Sequence, residues 1–176
     1  MDGPDSMRAV CAEDGLCSVM DGERTRMQLR TGKDECLRSA WSPSADRIAT
    51  ANADGTLRVF TAPWCEASEG VATVTAETRL AEEAYALEFV SDSALLAGFA
   101  DCVAVFDLNS AAGAASLGDP VVTLPFEPAG AAYGGVRNPD RRCFVFAASC
   151  FPPIVSLALS DGTLRLVDLR KPTSTA

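Results

Sequence analysis

The chain contains no histidine among its 176 residues. Ser-His-Asp and Cys-His catalytic groups need an imidazole base, so neither group can form. The seven cysteines include no CxxC pair, and without histidine the common zinc sites cannot be completed. A phosphate-cradling G-x-x-x-x-G-K loop is also missing. These absences predict a protein that is not an enzyme and that uses neither a metal nor another cofactor.

Long apolar runs are missing as well. None approaches the ~20 residues that a membrane-spanning helix needs, and the acidic, polar segment 1–7 does not resemble a signal peptide. The cysteine count is odd, and most cysteines lie in apolar, strand-like runs, which is typical of reduced thiols. The cysteines are Cys11, Cys17, Cys36, Cys65, Cys102, Cys143 and Cys150. We therefore predict seven free thiols in an intracellular protein, cytoplasmic or nuclear, that does not contact a membrane.

Positive charge is scarce, since the formal net charge is −9 and the pI is about 4.5. A chain of this charge repels a phosphate backbone. The local basic clusters at 137–142 and 165–171 are too small to form a nucleic-acid groove. Direct binding of nucleic acid is therefore not expected.

One short phrase recurs four times, beginning at residues 14, 54, 100 and 161. Each copy is a polar turn followed by an apolar or alternating run, and the copies are spaced by 40, 46 and 61 residues. Asp-Gly favours a tight turn, because aspartate bonds to the local backbone and glycine tolerates positive φ. The predicted structural turns use Asp14, Gly15, Asp54, Gly55, Asp161 and Gly162. Apolar, β-rich segments surround every turn, so the fold class is predicted to be all-β.

Residues Ala40 to Phe60, which read AWSPSADRIATANADGTLRVF, resemble a WD repeat of the β-transducin family. Val155 to Arg170 is similar to the end of such a repeat. The resemblance implies a segment of a WD-repeat β-propeller that acts as a non-catalytic scaffold for protein–protein interaction. The chain departs from the family in having no Trp-Asp dipeptide and no Gly-His pair, so the family's His-to-Asp hydrogen-bond tetrad cannot form. Looser packing between blades is therefore expected.

A second resemblance lies inside the first. Leu95 to Phe99 and Val103 to Phe106 are similar to a blade of the telomerase Cajal body protein-like subfamily, and Cys36 to Phe60 and Arg79 to Phe89 resemble its early blades. This resemblance implies an alternative function, a subunit of a ribonucleoprotein of the telomerase or Cajal-body RNA type. A diverged enzyme that uses a propeller as its frame is the other alternative.

The repeat predicts about three and a half four-stranded blades, fewer than the four to eight at which propellers close. The predicted units are a disordered N-terminus 1–6, a half blade 7–21, blades 27–61, 79–107 and 121–168, an insertion 125–142 within the last blade, and a disordered C-terminus 171–176. Three possibilities follow, in order of preference: a fragment of a longer chain, a partial propeller completed by a second copy or another chain, and a strained four-bladed closure. Either of the first two leaves apolar faces open to self-association.

Two loops are predicted to bind protein partners, whose identity the sequence does not give. The insertion 125–142 offers Phe126, Tyr133, Arg137 and Arg141, and the loop 61–74 offers Trp64. Aromatic and arginine side chains are enriched where interfaces bind most strongly. The alternatives are a solvent loop for the insertion and a tryptophan that only covers a blade edge.

Overall fold

The computed structural model describes residues 7–61, 72–109, 116–125 and 143–170, and these form fourteen β-strands. The strands are β1 Met7–Cys11, β2 Leu16–Asp21, β3 Arg24–Arg30, β4 Cys36–Trp41, β5 Arg47–Asn52, β6 Thr56–Thr61, β7 Thr73–Arg79, β8 Ala86–Ser91, β9 Ala94–Gly98, β10 Cys102–Asp107, β11 Val122–Pro125, β12 Val145–Phe151, β13 Ile154–Leu159 and β14 Leu164–Asp168. The described part of the chain is all-β, as predicted. No helix in it is long and apolar enough to cross a membrane.

The strands form four antiparallel sheets in chain order. The first sheet is β1-β2-β3, the second β4-β5-β6-β7, the third β8-β9-β10-β11 and the fourth β12-β13-β14. Every pairing joins strands that follow one another in the sequence, so each sheet is a simple meander. Such local pairing needs only short turns and keeps the entropy cost of loop closure small.

The recurring turn has the same backbone geometry in each sheet. Gly15, Gly55 and Gly162 have φ of 72°, 79° and 83°, and in the third sheet Asp101 takes this place with φ of 65°. Where the glycine is present, the aspartate before it accepts a hydrogen bond from the backbone two residues later. These bonds run from Leu16 N to Asp14 Oδ1 (3.1 Å), from Thr56 N to Asp54 Oδ1 (2.9 Å) and from Thr163 N to Asp161 Oδ1 (2.9 Å). Aspartate is one of the few residues besides glycine that adopts the left-handed conformation readily, which explains Asp101.

The strands group into sheets differently from the predicted units. The unit 27–61 began with the strand that contains Met27, but in the structure β3 pairs with β2, and Met27 lies opposite Val19. In the same way β7 pairs with β6 and β11 with β10. The connection from β2 to β3 is only Gly22-Glu23, and so short a turn favours a hairpin with the strand before it. The sheets therefore cover 7–30, 36–79, 86–125 and 145–168.

Consecutive sheets pack face to face, with their first strands close together. β1 lies beside β4, β4 beside β8, and β8 beside β12. Three apolar cores fill the spaces between neighbouring sheets. The strand that follows each recurring turn supplies two buried side chains to one of the cores. They are Cys17 and Val19 in β2, Leu57 and Val59 in β6, and Val103 and Val105 in β10. The repeat in the sequence is thus a repeat in packing.

A buried polar network joins the first two sheets. Asn52, the last residue of β5, donates from Nδ2 to Thr31 Oγ1 (2.9 Å) and to the Asp34 carbonyl (3.0 Å). Thr31 in turn donates from its hydroxyl to the carbonyl of Gly15 (3.0 Å). The second turn of the repeat is thereby linked to the first without histidine. Hydrogen bonds of this kind are strong inside a protein because water does not compete for them.

Similar bonds join the later sheets. Asp92, in the β8–β9 turn, accepts from Ser44 N at Oδ1 (2.8 Å) and from the Arg47 guanidinium at its carbonyl (3.1 Å), which ties the third sheet to the second. Asp101 accepts from Cys143 N at Oδ1 (2.7 Å) and donates from its own N to the Cys143 carbonyl (2.8 Å), which ties the third sheet to the fourth.

Candidate functional site

A cleft of about 370 Å³ opens where the second, third and fourth sheets meet. Its walls come from turns and links between sheets rather than from strands. The lining residues are Ala53, Asp54, Gly55, Leu80, Ala81, Glu82, Glu83, Tyr85, Ala100 and Phe144. Gly55 fixes one wall, because its carbonyl accepts a hydrogen bond from Leu80 N (2.8 Å) and so anchors the link that leads to β8. We call this feature the turn cleft.

An aromatic pair forms one side of the turn cleft. The rings of Tyr85 and Phe144 meet edge to face, with their centroids 5.0 Å apart and their planes at 78°. This geometry is favourable because the positive edge of one ring meets the negative face of the other. The Tyr85 hydroxyl donates to Glu83 Oε2 over 2.6 Å. Tyr85 therefore contacts Glu83 in its own link before β8 and Phe144 directly before β12.

The turn cleft is acidic. Its described lining contains the carboxyl groups of Asp54, Glu82 and Glu83 and no lysine or arginine. Burial alone would raise the pKa of Asp54, but the hydrogen bonds that it accepts from Thr56 and from the backbone of Lys33 hold that pKa below its ordinary value. Asp54 therefore carries a full negative charge at neutral pH, in a position fixed by the turn.

A second, more apolar groove of about 450 Å³ continues from the turn cleft between the second and third sheets. The two share Leu80, Ala81, Glu82 and Ala100, so the link 80–82 forms a ridge between them. Phe99, Phe106 and Pro120 are among the apolar residues of the groove. A ligand that spans the ridge would thus meet carboxylates on one side and, on the other, a largely apolar wall that also carries Arg79 and Asp119.

The described residues contain no group of three or more cysteine, aspartate or glutamate side chains arranged to hold a metal ion. In the turn cleft, the carboxyl groups and the tyrosine have neither a serine nor a cysteine beside them as a nucleophile. The chemistry available there is charge attraction, hydrogen bonding and apolar contact.

The residues predicted from the sequence have different outcomes. Asp54 and Gly55 line the turn cleft, whereas Asp14, Gly15, Asp161 and Gly162 occupy the corresponding turns of the first and fourth sheets. The predicted partner-binding residues Trp64, Phe126, Tyr133, Arg137 and Arg141 all lie outside the described residues, and so do the termini 1–6 and 171–176. The six described cysteines have free thiols, as predicted, and Cys65 lies outside the described residues.

Sequence reasoning missed Tyr85 and Phe144, and it interpreted the carboxylate pair Glu82-Glu83 as a solvated surface. Each lies in a link or directly before a strand, where no periodic pattern marks it. A usable signal existed for Tyr85, because it directly precedes an apolar strand and follows two carboxylates in a short link. Comparison with protein-family models and with curated proteins finds no match to the chain.

Proposed function

We propose that the chain forms part of a WD-repeat-type β-propeller and works as a non-catalytic scaffold that binds protein segments in the turn cleft. The observation that carries the proposal is the position of the cleft, at the meeting point of three consecutive sheets, where the Asp-Gly turn and two links converge. Loops presented by a rigid framework are common binding surfaces.

Three features support the propeller arrangement. The sheets are consecutive antiparallel meanders whose first strands are neighbours, as expected when blades surround an axis. The turn geometry repeats from sheet to sheet. The buried pair on the strand that follows this turn also repeats in the first three sheets. Each sheet buries its faces only against its neighbours, which is the defining property of repeat architectures.

The charge of the turn cleft indicates the kind of segment that it binds. Asp54, Glu82 and Glu83 attract a lysine or arginine side chain, and such complementarity favours both the rate and the specificity of association. The aromatic pair adds to this attraction, because aromatic faces interact with cations. The apolar groove across the ridge suits a hydrophobic residue next to that cation. The proposed partner segment is therefore basic, with an adjoining apolar side chain.

A peptide panel tests this proposal. Peptides of one fixed sequence carry Lys, Arg, Leu or Glu at one central position, and their binding to the immobilised full chain is measured at two salt concentrations. We expect Lys and Arg to be selected, with weaker binding at high salt. Replacing Glu82 and Glu83 together by glutamine should weaken binding of the basic peptides about fivefold, since each exposed charge pair contributes up to about 1 kcal/mol.

Glu13→Gln is the matched control. Glu13 is exposed in the turn between β1 and β2, so this substitution removes a carboxylate that is far along the chain from the link 80–83. It should leave peptide binding unchanged. Equal binding by the parent and by the double glutamine variant, or selection of Glu over Lys, contradicts the proposed site.

A further inference from the structure

Three thiols meet at the contact between the first two sheets. Cys11 ends β1, Cys17 lies in β2, and Cys36 begins β4. Cys17 and Cys36 are buried in the apolar core between these sheets, and the partly exposed Cys11 packs against it. The backbone N of Cys36 donates to the carbonyl of Ala12 (3.0 Å), which holds β4 against the β1–β2 hairpin. We call these residues the thiol cluster.

The register places two of these thiols directly opposite each other. Cys11 and Cys17 are cross-strand partners. The next pair toward the turn, Ala12 and Leu16, is hydrogen-bonded through Ala12 N (2.9 Å). In an antiparallel ladder such pairs alternate with non-hydrogen-bonded ones, whose Cα atoms lie about 4.5 Å apart with side chains on one face. That spacing lies within the range of ~4.4–6.8 Å that disulfides span.

Packing in the core does not require cysteine at positions 11, 17 and 36. The register aligns Cys17 with Leu57 and Val103, and it aligns their cross-strand partners Cys11, Ala51 and Gly98 with one another. Cys36 aligns with Ala86 and Val145, the first residues of β8 and β12. The second, third and fourth sheets therefore have small or apolar residues without sulfur at the matching positions. The concentration of three thiols in one of the three cores is a property of the first two sheets only.

The thiols differ in their acidity. Hydrogen bonds from the Cys17 and Cys36 thiols lower the pKa of Cys11 well below its ordinary value, and the charge of Arg38 adds to this effect. The hydrogen bond to Cys11 raises the pKa of Cys17, as does its burial. These opposite shifts favour ionisation of the partly exposed Cys11 thiol over ionisation of the buried Cys17 thiol. A low-pKa, accessible thiol with a second thiol beside it is the usual arrangement at oxidation-sensitive sites.

We propose that the thiol cluster is an oxidation site, at which a peroxide converts Cys11 and Cys17 into a disulfide across the β1–β2 hairpin. The Cys11 sulfur attacks one peroxide oxygen, so an S–O bond forms, the O–O bond breaks and hydroxide leaves as water. Cys17 then attacks the Cys11 sulfenic acid, so the S–S bond forms, the S–O bond breaks and the second water leaves with the Cys17 proton. Two thiols and one hydrogen peroxide give one disulfide and two water molecules.

The second step follows from the first. While Cys11 is a thiolate, its negative charge and the burial of Cys17 both raise the pKa of Cys17, so Cys17 keeps its proton. Formation of the sulfenic acid removes the negative charge, and with it the main reason for the raised pKa of Cys17. The buried thiol can then lose its proton to become the attacking group.

Peptide mass mapping of the reduced full chain tests the proposal. The chain is treated with hydrogen peroxide, alkylated and digested with trypsin, which leaves Cys11 and Cys17 together in the peptide 9–24. We expect this peptide to take no alkyl group and to be lighter by two hydrogens than the reduced peptide. The thiols of Cys11 and Cys17 should disappear at least ~10-fold faster than those of Cys102 and Cys150.

Variants that copy the other sheets keep the fold while removing one thiol. In Cys17→Val the sulfenic acid at Cys11 should persist and react with dimedone. In Cys11→Ala the remaining Cys17 in peptide 9–24 should stay fully alkylated after peroxide treatment. Cys150→Ala, which removes a partly buried thiol in the fourth sheet, should leave the disulfide yield unchanged. The proposal is overturned if peptide 9–24 keeps two alkylated cysteines while other thiols oxidise, or if the product joins Cys11 to Cys36.

Discussion

Leu164 holds in the fourth sheet the position that Leu57 holds in the second, yet Leu57 is fully buried and Leu164 is 69% exposed. Both follow an Asp-Gly-Thr turn and pair with an alanine of the preceding strand. Leu57 is covered because the third sheet packs on it. In the described part of the chain no sheet follows the fourth, so Leu164 and its neighbour Leu166, which is 72% exposed, form an open apolar face with Phe151.

Self-association through this face is the first prediction. The purified chain should associate at micromolar concentration, with a dimer as the simplest form, because burying one leucine side chain stabilises by about 1.5–3 kcal/mol. Replacing Leu164 and Leu166 together by serine should weaken association at least ~10-fold, as measured by sedimentation velocity. Val121→Ser, which changes an exposed apolar residue in the link before β11, is the control and should associate as the parent does. A monodisperse parent monomer with a cooperative melt would count against the dimer.

The first sheet, at the other end of the row of sheets, exposes fewer apolar side chains than the fourth. In the first sheet, Val19 is buried in the core shared with the second sheet, whereas Val10 is exposed. Side chains alternate along a strand, and Val19 shares the inward face of β2 with Cys17. The association predicted above should therefore depend more on Leu164 and Leu166 than on Val10.

The two glycine turns should differ in their sensitivity to substitution. Both Gly55 and Gly162 have positive φ, so valine at either position costs about 1–2 kcal/mol in backbone strain. A Cβ on Gly55 would also lie 2.6 Å from the Leu80 carbonyl oxygen, whereas nothing lies within 4 Å of one on Gly162. Urea denaturation should therefore show a larger loss of unfolding free energy for Gly55→Val than for Gly162→Val. Equal losses of unfolding free energy in the two variants would mean that the close contact between Gly55 and the Leu80 carbonyl does not contribute to stability.

The Asn52 network should hold the first two sheets together. Asn52→Ala removes two hydrogen bonds and leaves the buried Thr31 hydroxyl with fewer partners, so a loss of about 1–3 kcal/mol is expected. Thr31→Val removes the same network from the other side. In a double-mutant cycle the two losses should not add, because both changes remove the Asn52–Thr31 bond. Additive losses would show that the two residues act independently.

Acid should weaken the turn of the second sheet. The pKa of Asp54 is lower in the folded chain than its ordinary value of about 3.9, so its contribution to stability is present above that pH and is lost as pH falls through the folded pKa. The unfolding free energy should therefore decrease below about pH 4. Asp54→Asn, which keeps an acceptor for Thr56 N, should decrease less steeply. Glu23→Gln, at an exposed turn, is the control and should retain the parental slope.

Residue type alone predicts only part of the candidate sites. Trp64 and the residues of the insertion were singled out because aromatic and arginine side chains favour interfaces, and they stay predictions. The turn cleft depends on Tyr85 and Phe144, which are 59 residues apart and touch only because the third and fourth sheets pack together. The thiol cluster depends likewise on the register of β1 with β2 and on the approach of β4. Neither is visible in local periodicity.

The positions of turns and strands follow from the sequence alone. Asp-Gly marks three of the four recurring turns, and an apolar, β-rich strand follows each of them. Local chemistry is sufficient there, since the turn needs positive φ and the strand needs alternating apolar residues. Periodicity did not decide that Arg24–Arg30 pairs with β2 rather than with the strand that follows it. A period of two residues is the same for either partner, and only the short Gly22-Glu23 turn and the burial of Leu29 beside Cys17 favour one pairing over the other.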